Sequence, residues 1–260
     1  MSLLEQKQIL IAGMISDRSL AYGIAKSMHK QGAKLAFTYQ SPAVKDRVAA
    51  LAKEFNSDLL FTCDVSSDEQ ITKVFSDLSE EWSSLDGLVH SIASAPLDSF
   101  AGSYLESVNR HNFSTAHEIS SYSLAAMCKQ AAPMLSKSAA IVAISYLGST
   151  KAVTGYNVMG IAKASLEANV RYLANDLGLR GIRVNAISAG PYKSLSTARS
   201  PVIDKNIKHY AKHSPLRRNI SLEEIGNTAS FLCSDMSSGI TGQIIYVDGG
   251  YSIVEINTHE

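Results

Sequence analysis

Short apolar runs alternate with longer amphipathic stretches along the chain. Gln8–Ala12, Lys34–Thr38, Leu59–Cys63, Gly87–His90, Ala140–Ser145, Arg183–Ile187 and Gln243–Val247 read as strands. Most are continuously apolar rather than alternating, which is the pattern of strands covered on both faces. Between them, Ala21–Gln31, Ala43–Phe55, Asp68–Trp82, Ser114–Met134 and Ala162–Gly178 carry helical periodicity. The β-α-β-α order predicts a seven-stranded parallel sheet with right-handed crossovers and helices on both faces. That is a doubly wound α/β fold, whose ligands bind beyond the carboxyl ends of the strands. No repeat or linker divides the chain, so 1–260 reads as one domain. The stretch 191–215 follows a strand and carries Pro191, Pro201 and Pro215, with little helical periodicity at its start. At the ligand edge of a sheet such an excursion reads as a substrate loop, or more plainly as a surface insertion.

Composition narrows the function classes. The 260 residues are 45% hydrophobic and 18% charged, enough apolar surface for one substantial core. Lys plus Arg and Asp plus Glu number 24 each, and this balance gives no support for a nucleic-acid or anionic-membrane partner. The longest apolar runs, Ile9–Ile15 and Ala139–Ile144, are seven and six residues, far short of the roughly 18 that cross a bilayer. The first residues lack the basic start and apolar core of a signal peptide. Cys63, Cys128 and Cys233 are widely spaced, as expected of buried thiols in a reducing cytoplasm rather than of a disulfide framework or a metal site.

The first strand runs into Gly13-Met-Ile-Ser-Asp-Arg-Ser19-Leu20-Ala21-Tyr-Gly23. Gly13 permits a tight turn, Ser19 can cap a helix starting near Leu20, and Gly23 lets helix and strand approach. Free N–H groups at that helix start suit a pyrophosphate. The standard Rossmann-type G-x-G-x-x-G is absent, and a plain strand–turn–helix junction explains the same residues. The following strand ends add to the signal. Gln40 ends the second, where a neutral amide can meet the adenosine ribose, and the first downstream cation is Lys45, which favours NADH over NADPH. Asp64 and Val65 end the third, suited to an adenine amino group and ring, though Asp64 reads equally as a turn or cap residue. Ser91 and Ile92 end the fourth, where a small residue admits the cofactor.

Tyr156 and Lys163 are seven residues apart, close to two helical turns, so both are expected on one helix face. Tyr146 precedes Tyr156 by ten, just after a strand. A tyrosine beside an ammonium has a stabilised phenolate and donates a strong hydrogen bond, which suits an enolate formed when hydride adds to a conjugated thioester. A lone Tyr/Lys pair at this spacing is also an ordinary helix face.

The run Ser145-Tyr146-Leu-Gly148…Tyr156-Asn-Val-Met159-Gly-Ile-Ala-Lys163-Ala-Ser-Leu-Glu resembles the enoyl-acyl carrier protein reductases, a divergent branch of the short-chain dehydrogenases. So do Arg183-Val-Asn-Ala-Ile-Ser-Ala-Gly190-Pro191, the segment Phe231–Gly242 and Val247-Asp-Gly-Gly250. Ketone reductases of the wider family carry Tyr-x-x-x-Lys, whereas the fourth residue after Tyr156 is Gly160. The resemblance implies reduction of a 2-enoyl thioester on acyl carrier protein by NADH, in a homotetramer. It implies Tyr156 as enolate donor, Lys163 as ribose ligand and Tyr146 as second pocket tyrosine. It further implies cofactor contacts from Gly13, Ser19, Leu20, Gln40, Asp64, Val65, Ser91, Ile92 and the segment Tyr192, Lys193, Ser194, Leu195 and Ser196, with Ala95 and Met159 near the substrate. Ala93, Ser94, Tyr192 and the polar Ser196–Pro201 loop depart from the family pattern. An acyl chain gains about 0.8 kcal/mol per buried methylene, so these departures bear on acyl fit more than on hydride chemistry.

Two other readings compete: a reductase of another unsaturated or carbonyl substrate, and a nucleotide-binding sensor without catalysis. Retention of Tyr146, Tyr156 and Lys163 opposes the second. His209 and His213, four apart, lack the further ligands zinc needs and read as a solvated helix face.

Overall fold

A computed structural model describes residues 2–195 and 203–255. Seven strands form one sheet: β1 (Gln8–Ala12), β2 (Lys34–Tyr39), β3 (Leu60–Thr62), β4 (Leu85–His90), β5 (Leu135–Ser145), β6 (Arg183–Ala189) and β7 (Ile244–Val247). Their order is β3-β2-β1-β4-β5-β6-β7, and every pair is parallel. The predicted doubly wound sheet is therefore present, with its direction of winding reversing between β1 and β4.

The continuous apolar runs are explained by two cores, one on each face. Leu10, Ala12, Leu88, Ile141 and Val184 point into one. Their strand neighbours Ile9, Ile11, Val89, Val142 and Ile187 point into the other. Successive side chains of a strand face opposite ways, so a strand buried twice has no room for polar alternation.

The helices are α1 (Leu20–Lys30), α2 (Pro42–Lys53), α3 (Asp68–Glu81), α4 (Tyr104–Ser107), α5 (Arg110–His117), α6 (Ser123–Ala131), α7 (Val158–Gly178), α8 (Ile203–His213) and α9 (Leu222–Cys233). Two expectations need correction. The helix expected over 114–134 is broken: α5 and α6 are separated by a π-turn over Glu118–Tyr122, and a 3-10 turn, Ala132–Met134, follows α6. Serines weaken a helix by bonding back to its carbonyls, and Ser123 Oγ donates to Ile119 O at 2.7 Å. Gly23 serves a helix–helix contact rather than a helix–strand one. A Cβ there would stand 2.7 Å from Leu222 Cβ on α9, and Gly226 of α9 meets the Gly23 carbonyl in return. The excursion 191–215 contains α8, and α9 follows it. The start of α9 is marked in the sequence by a Ser221/Glu224 capping box, which is formed in the structure.

Candidate active site

The switch point between β1 and β4 opens a crevice at the carboxyl edge of the sheet. Ser91 N–H donates to Ala12 O at 3.0 Å, so the tips of β1 and β4 stay joined past the strands. Gly13 then turns away with φ +104°, and a Cβ on it would lie 2.1 Å from Ser91 O. Only glycine fits that turn, both for its conformation and for its space. Ser19 is the N-cap of α1, accepting from Tyr22 N–H at 3.3 Å while its hydroxyl donates to Ser16 O at 2.6 Å. The free N–H groups of Leu20 and Ala21 thus begin a helix directly beyond the β1 turn.

The tips of β2 and β3 meet next to it. Gln40 Nε2 lies 3.5 Å from Asp64 Oδ2, while Asp64 Oδ1 accepts from the Ser66 amide at 3.0 Å and hydroxyl at 2.7 Å. Partial burial works to raise the Asp64 pKa, but the Ser66 and Gln40 hydrogen bonds outweigh it and hold the group below the usual carboxylate range. Asp64 is accordingly a turn residue as well as a charged acceptor facing Gln40. Val65 beside it is buried. A cradle that excludes a Cβ, a capped helix start and a carboxylate–amide pair along one edge fit a dinucleotide.

Beyond β5 and β6 the site is polar and aromatic. Tyr146 follows the last residue of β5, and its ring stands edge-on to Tyr156 with centroids 4.9 Å apart. The Tyr146 hydroxyl is buried, and among the described residues the Tyr210 hydroxyl of α8 is a polar neighbour. Tyr156 is not on a helix, contrary to expectation. It lies ahead of Asn157, the N-cap of α7, whose backbone is at φ +45°, ψ −124°. The Asn157 amide holds this break by donating to Ser99 O at 3.1 Å and Ser107 Oγ at 3.0 Å. Such a conformation costs on the order of 1–3 kcal/mol in a non-glycine residue.

Lys163 is on α7, is 4% exposed, and donates to Ile144 O at 2.7 Å. Burial lowers its pKa to about 8, with the Glu167 carboxylate opposing the shift. Burial, then Tyr146, raises the Tyr156 hydroxyl above the ordinary tyrosine value. Tyr156 is thus a neutral hydrogen-bond donor rather than a phenol eased towards its anion by Lys163. Met159, Tyr156 and Ala95 come together in a small apolar cluster with Phe100, Val108 and Val158.

A family model described as enoyl-(acyl carrier protein) reductase matches residues 13–252. The chain belongs to that family. It is 56% identical over 259 residues, 99% of each chain, to the protein of Neisseria meningitidis serogroup B named NADH enoyl-acyl carrier protein reductase FabI. Its fold matches the crystal structure of the NADH enoyl-acyl carrier protein reductase of Aquifex aeolicus with TM-score 0.95 and 48% identity, covering 98% of this chain and 100% of that one. It matches the enoyl-acyl carrier protein reductase of Anaplasma phagocytophilum in complex with NAD equally well, with TM-score 0.95, 42% identity and 99% and 98% coverage.

The remaining expected residues fall on the same edge of this reductase fold. Tyr192, Lys193, Ser194 and Leu195 continue from β6, and Lys193 Nζ pairs with Asp204 of α8 at 2.7 Å. Ser196 and the loop to Pro201 lie outside the described residues. His209 and His213 do share a face of α8, with rings stacked at 4.1 Å, and His209 also meets Tyr251 edge-on.

Several residues escaped sequence reasoning. Ser120, presented by the π-turn, binds both the N–H and the carbonyl of Ser94 at 3.1 Å and lies 3.7 Å from Met159 Sδ. Its only sequence signal is a serine cluster that interrupts a helical pattern. Tyr210 of α8 stacks on Tyr251 at 3.7 Å, and its buried hydroxyl interacts with that of Tyr146. Nothing in the sequence brings positions 146, 210 and 251 together. His90, fully buried at the end of β4, shares a 2.8 Å hydrogen bond with Ser123 Oγ. Burial, reinforced by Lys163, lowers its pKa to about 3, so it is neutral at any working pH.

Proposed function

We propose that this chain reduces the C=C bond of a 2-enoyl thioester carried on acyl carrier protein, with NADH as reductant, in fatty-acid synthesis. The observation that carries the residue roles is the convergence of Tyr146, Tyr156 and Lys163 at the end of β5, beside the β1/β4 switch point. NADH, when bound, supplies the hydride that adds to the β-carbon of the substrate. The cradle formed by Gly13, Ser19, Leu20, Ser91 and Ile92 would take the pyrophosphate and its flanks, and Gln40, Asp64 and Val65 would take the adenosine. Lys163 would hold the nicotinamide ribose, and Tyr192, Lys193, Ser194 and Leu195, together with Ser196 outside the described residues, would serve the nicotinamide and pyrophosphate.

Hydride addition at the β-carbon moves an electron pair onto the thioester oxygen. A neutral Tyr156 hydroxyl donates to that enolate oxygen, a bond stronger in the transition state than in the ground state. The enolate then collapses as a proton reaches the α-carbon, delivered by Tyr156 or by water linked to Lys163. Tyr146 completes the polar end of the pocket, while Ala95 and Met159 line its apolar side. The excursion 191–215 is the substrate loop of the single domain.

The active form is a homotetramer assembled through α5, α6 and α7. Phe113 on α5, Tyr122 at the end of the π-turn before α6, and Ile161 and Tyr172 on α7 are exposed, a concentration of aromatic and apolar surface that a second copy would cover. Static light scattering at micromolar concentration should give four chains, and a monomer would refute the assembly. The three free, buried thiols, with pKa values pushed up to about 12 by burial, support a cytoplasmic enzyme.

The test of function is NADH oxidation with crotonyl thioester against acetoacetyl thioester. Turnover of the first and not the second is expected. Preference for the ketone would assign a carbonyl reductase, and inactivity on both would leave a nucleotide-binding protein.

A further inference from the structure

Glu167 sits on α7, one helical turn beyond Lys163, and is 5% exposed. Burying a carboxylate is expensive unless its oxygens are met by donors. Here Oε1 accepts from Ser145 Oγ at 2.5 Å and from Ser149 Oγ at 2.6 Å. These two serines bracket Tyr146. Ser145 is the last residue of β5, and Ser149 closes the 3-10 turn Leu147–Ser149. One oxygen atom therefore ties both ends of the short segment that presents the pocket tyrosine.

That segment also forms the wall behind Tyr156. A Cβ on Gly148 would stand 2.5 Å from Tyr156 Cδ1, and one on Gly160 would stand 2.7 Å from Gly148 O. There is no slack between the turn, the Tyr156 ring and the first turn of α7. A shift of the 145–149 segment is passed directly to both tyrosines, whose rings already touch edge-on.

We propose that Glu167 is a positioning residue for the reduction: through Ser145 and Ser149 it clamps the turn that carries Tyr146 and so fixes the spacing of the two pocket tyrosines. It touches neither substrate nor cofactor. The inference rests on the assignment of Tyr146 and Tyr156 to the substrate pocket.

The test compares Glu167→Ala, Glu167→Gln, Ser149→Ala and the Ser149→Ala/Glu167→Ala double variant, with Tyr146→Phe and Tyr156→Phe in parallel. For each, kcat and KM with crotonyl thioester, the NADH Kd by fluorescence and the melting temperature are measured at pH 6.5, where Lys163 stays charged. Glu167→Ala should lower kcat at least tenfold, with NADH Kd within about threefold of the parent. Glu167→Gln keeps an acceptor oxygen for both serines and should stay within about threefold of the parent kcat. Ser149→Ala should lower kcat about threefold, and the double variant should be no slower than Glu167→Ala alone, because both act through one contact.

Parent-like kcat in Glu167→Ala, or equal losses in Glu167→Gln and Glu167→Ala, would overturn the clamp. Should Glu167→Ala fail to fold, Ser149→Ala decides, and parent-like kcat there overturns the proposal too. If Tyr146→Phe and Tyr156→Phe both keep full kcat, the pocket assignment itself has failed. If they lose kcat while Glu167→Ala does not, only the clamp is wrong.

Discussion

On the β1–β4 side of the sheet, every strand has a candidate cofactor contact within two residues of its end: Gly13 after β1, Gln40 after β2, Asp64 after β3 and Ser91 after β4. On the β5–β6 side, the chemistry is assembled across long separations. Tyr146 is held through Glu167, Tyr156 is fixed by an Asn157 amide that reaches Ser99 and Ser107, and Tyr210 arrives from α8 to meet Tyr146 and Tyr251. The first side needs only that each strand end where it does. The second needs several elements to be in place at once. Binding of a dinucleotide is thus built from separable local pieces, whereas the pocket for the reacting bond behaves as one unit.

Tyr156→Phe is the strongest test of that contrast. Removing the proposed donor to the enolate should lower kcat on crotonyl thioester by about a hundredfold or more, the usual effect of losing one oxyanion donor. NADH affinity, measured by fluorescence titration, should stay near normal. A variant that instead loses NADH and keeps kcat would place Tyr156 on the binding side of the comparison.

Lys163→Ala should act in the opposite sense, because the proposal assigns Lys163 to the cofactor although it sits in the substrate half of the molecule. Loss of a charge-assisted hydrogen bond is worth roughly 1.5–3 kcal/mol, or about ten- to a hundredfold in NADH Kd. The pH dependence sharpens this. Burial lowers the Lys163 pKa to about 8, so the free protein loses the ammonium as pH rises past that value. NADH Kd should be flat below about pH 7 and rise above about pH 8, and Lys163→Ala should abolish the rise. Stability of the free protein moves the other way. The folded pKa lies below the ordinary lysine value of 10.5, so between about 8 and 10.5 the unfolded chain holds more protons, and the Lys163 contribution to stability increases with pH.

The smallest expected effect concerns the adenosine end. Gln40 lies beside Asp64, whose carboxylate is held charged by Ser66 and Gln40 and would repel a 2′-phosphate. kcat/KM should favour NADH over NADPH by at least tenfold, and Gln40→Arg should narrow the ratio without lowering kcat with NADH. A native preference for NADPH would show that this strand tip does not read the ribose.

The local side was largely legible because its information is local. A strand end is marked by where an apolar run stops, and the residue that follows it is a candidate contact by position alone. Ser19 was readable as a helix cap for the same reason, since the donor it satisfies is three residues away. The errors cluster where a pattern was extended past the point at which another element intervened. Helical spacing placed Tyr156 and Lys163 on one helix, but Asn157 adopts a positive φ and starts α7 after the tyrosine. The periodicity around the serines at 120, 121 and 123 predicts one long helix, although the chain forms a π-turn there and Ser120 bonds the loop after β4.

By itself the sequence determined the parallel sheet, its two buried faces, the switch-point edge and the residue types that make this an enoyl reductase. Period and composition act over a few residues, and burial of apolar surface converts them into strands and helices without further instruction. The tertiary structure alone decided which polar groups are shared. Glu167 became a clamp because β5 and α7 pack side by side, and Gly23 became a helix–helix contact because α9 folds back onto α1. In both cases the energy lies in a contact between residues far apart in the chain, and it exists only once the intervening chain has been fixed in place.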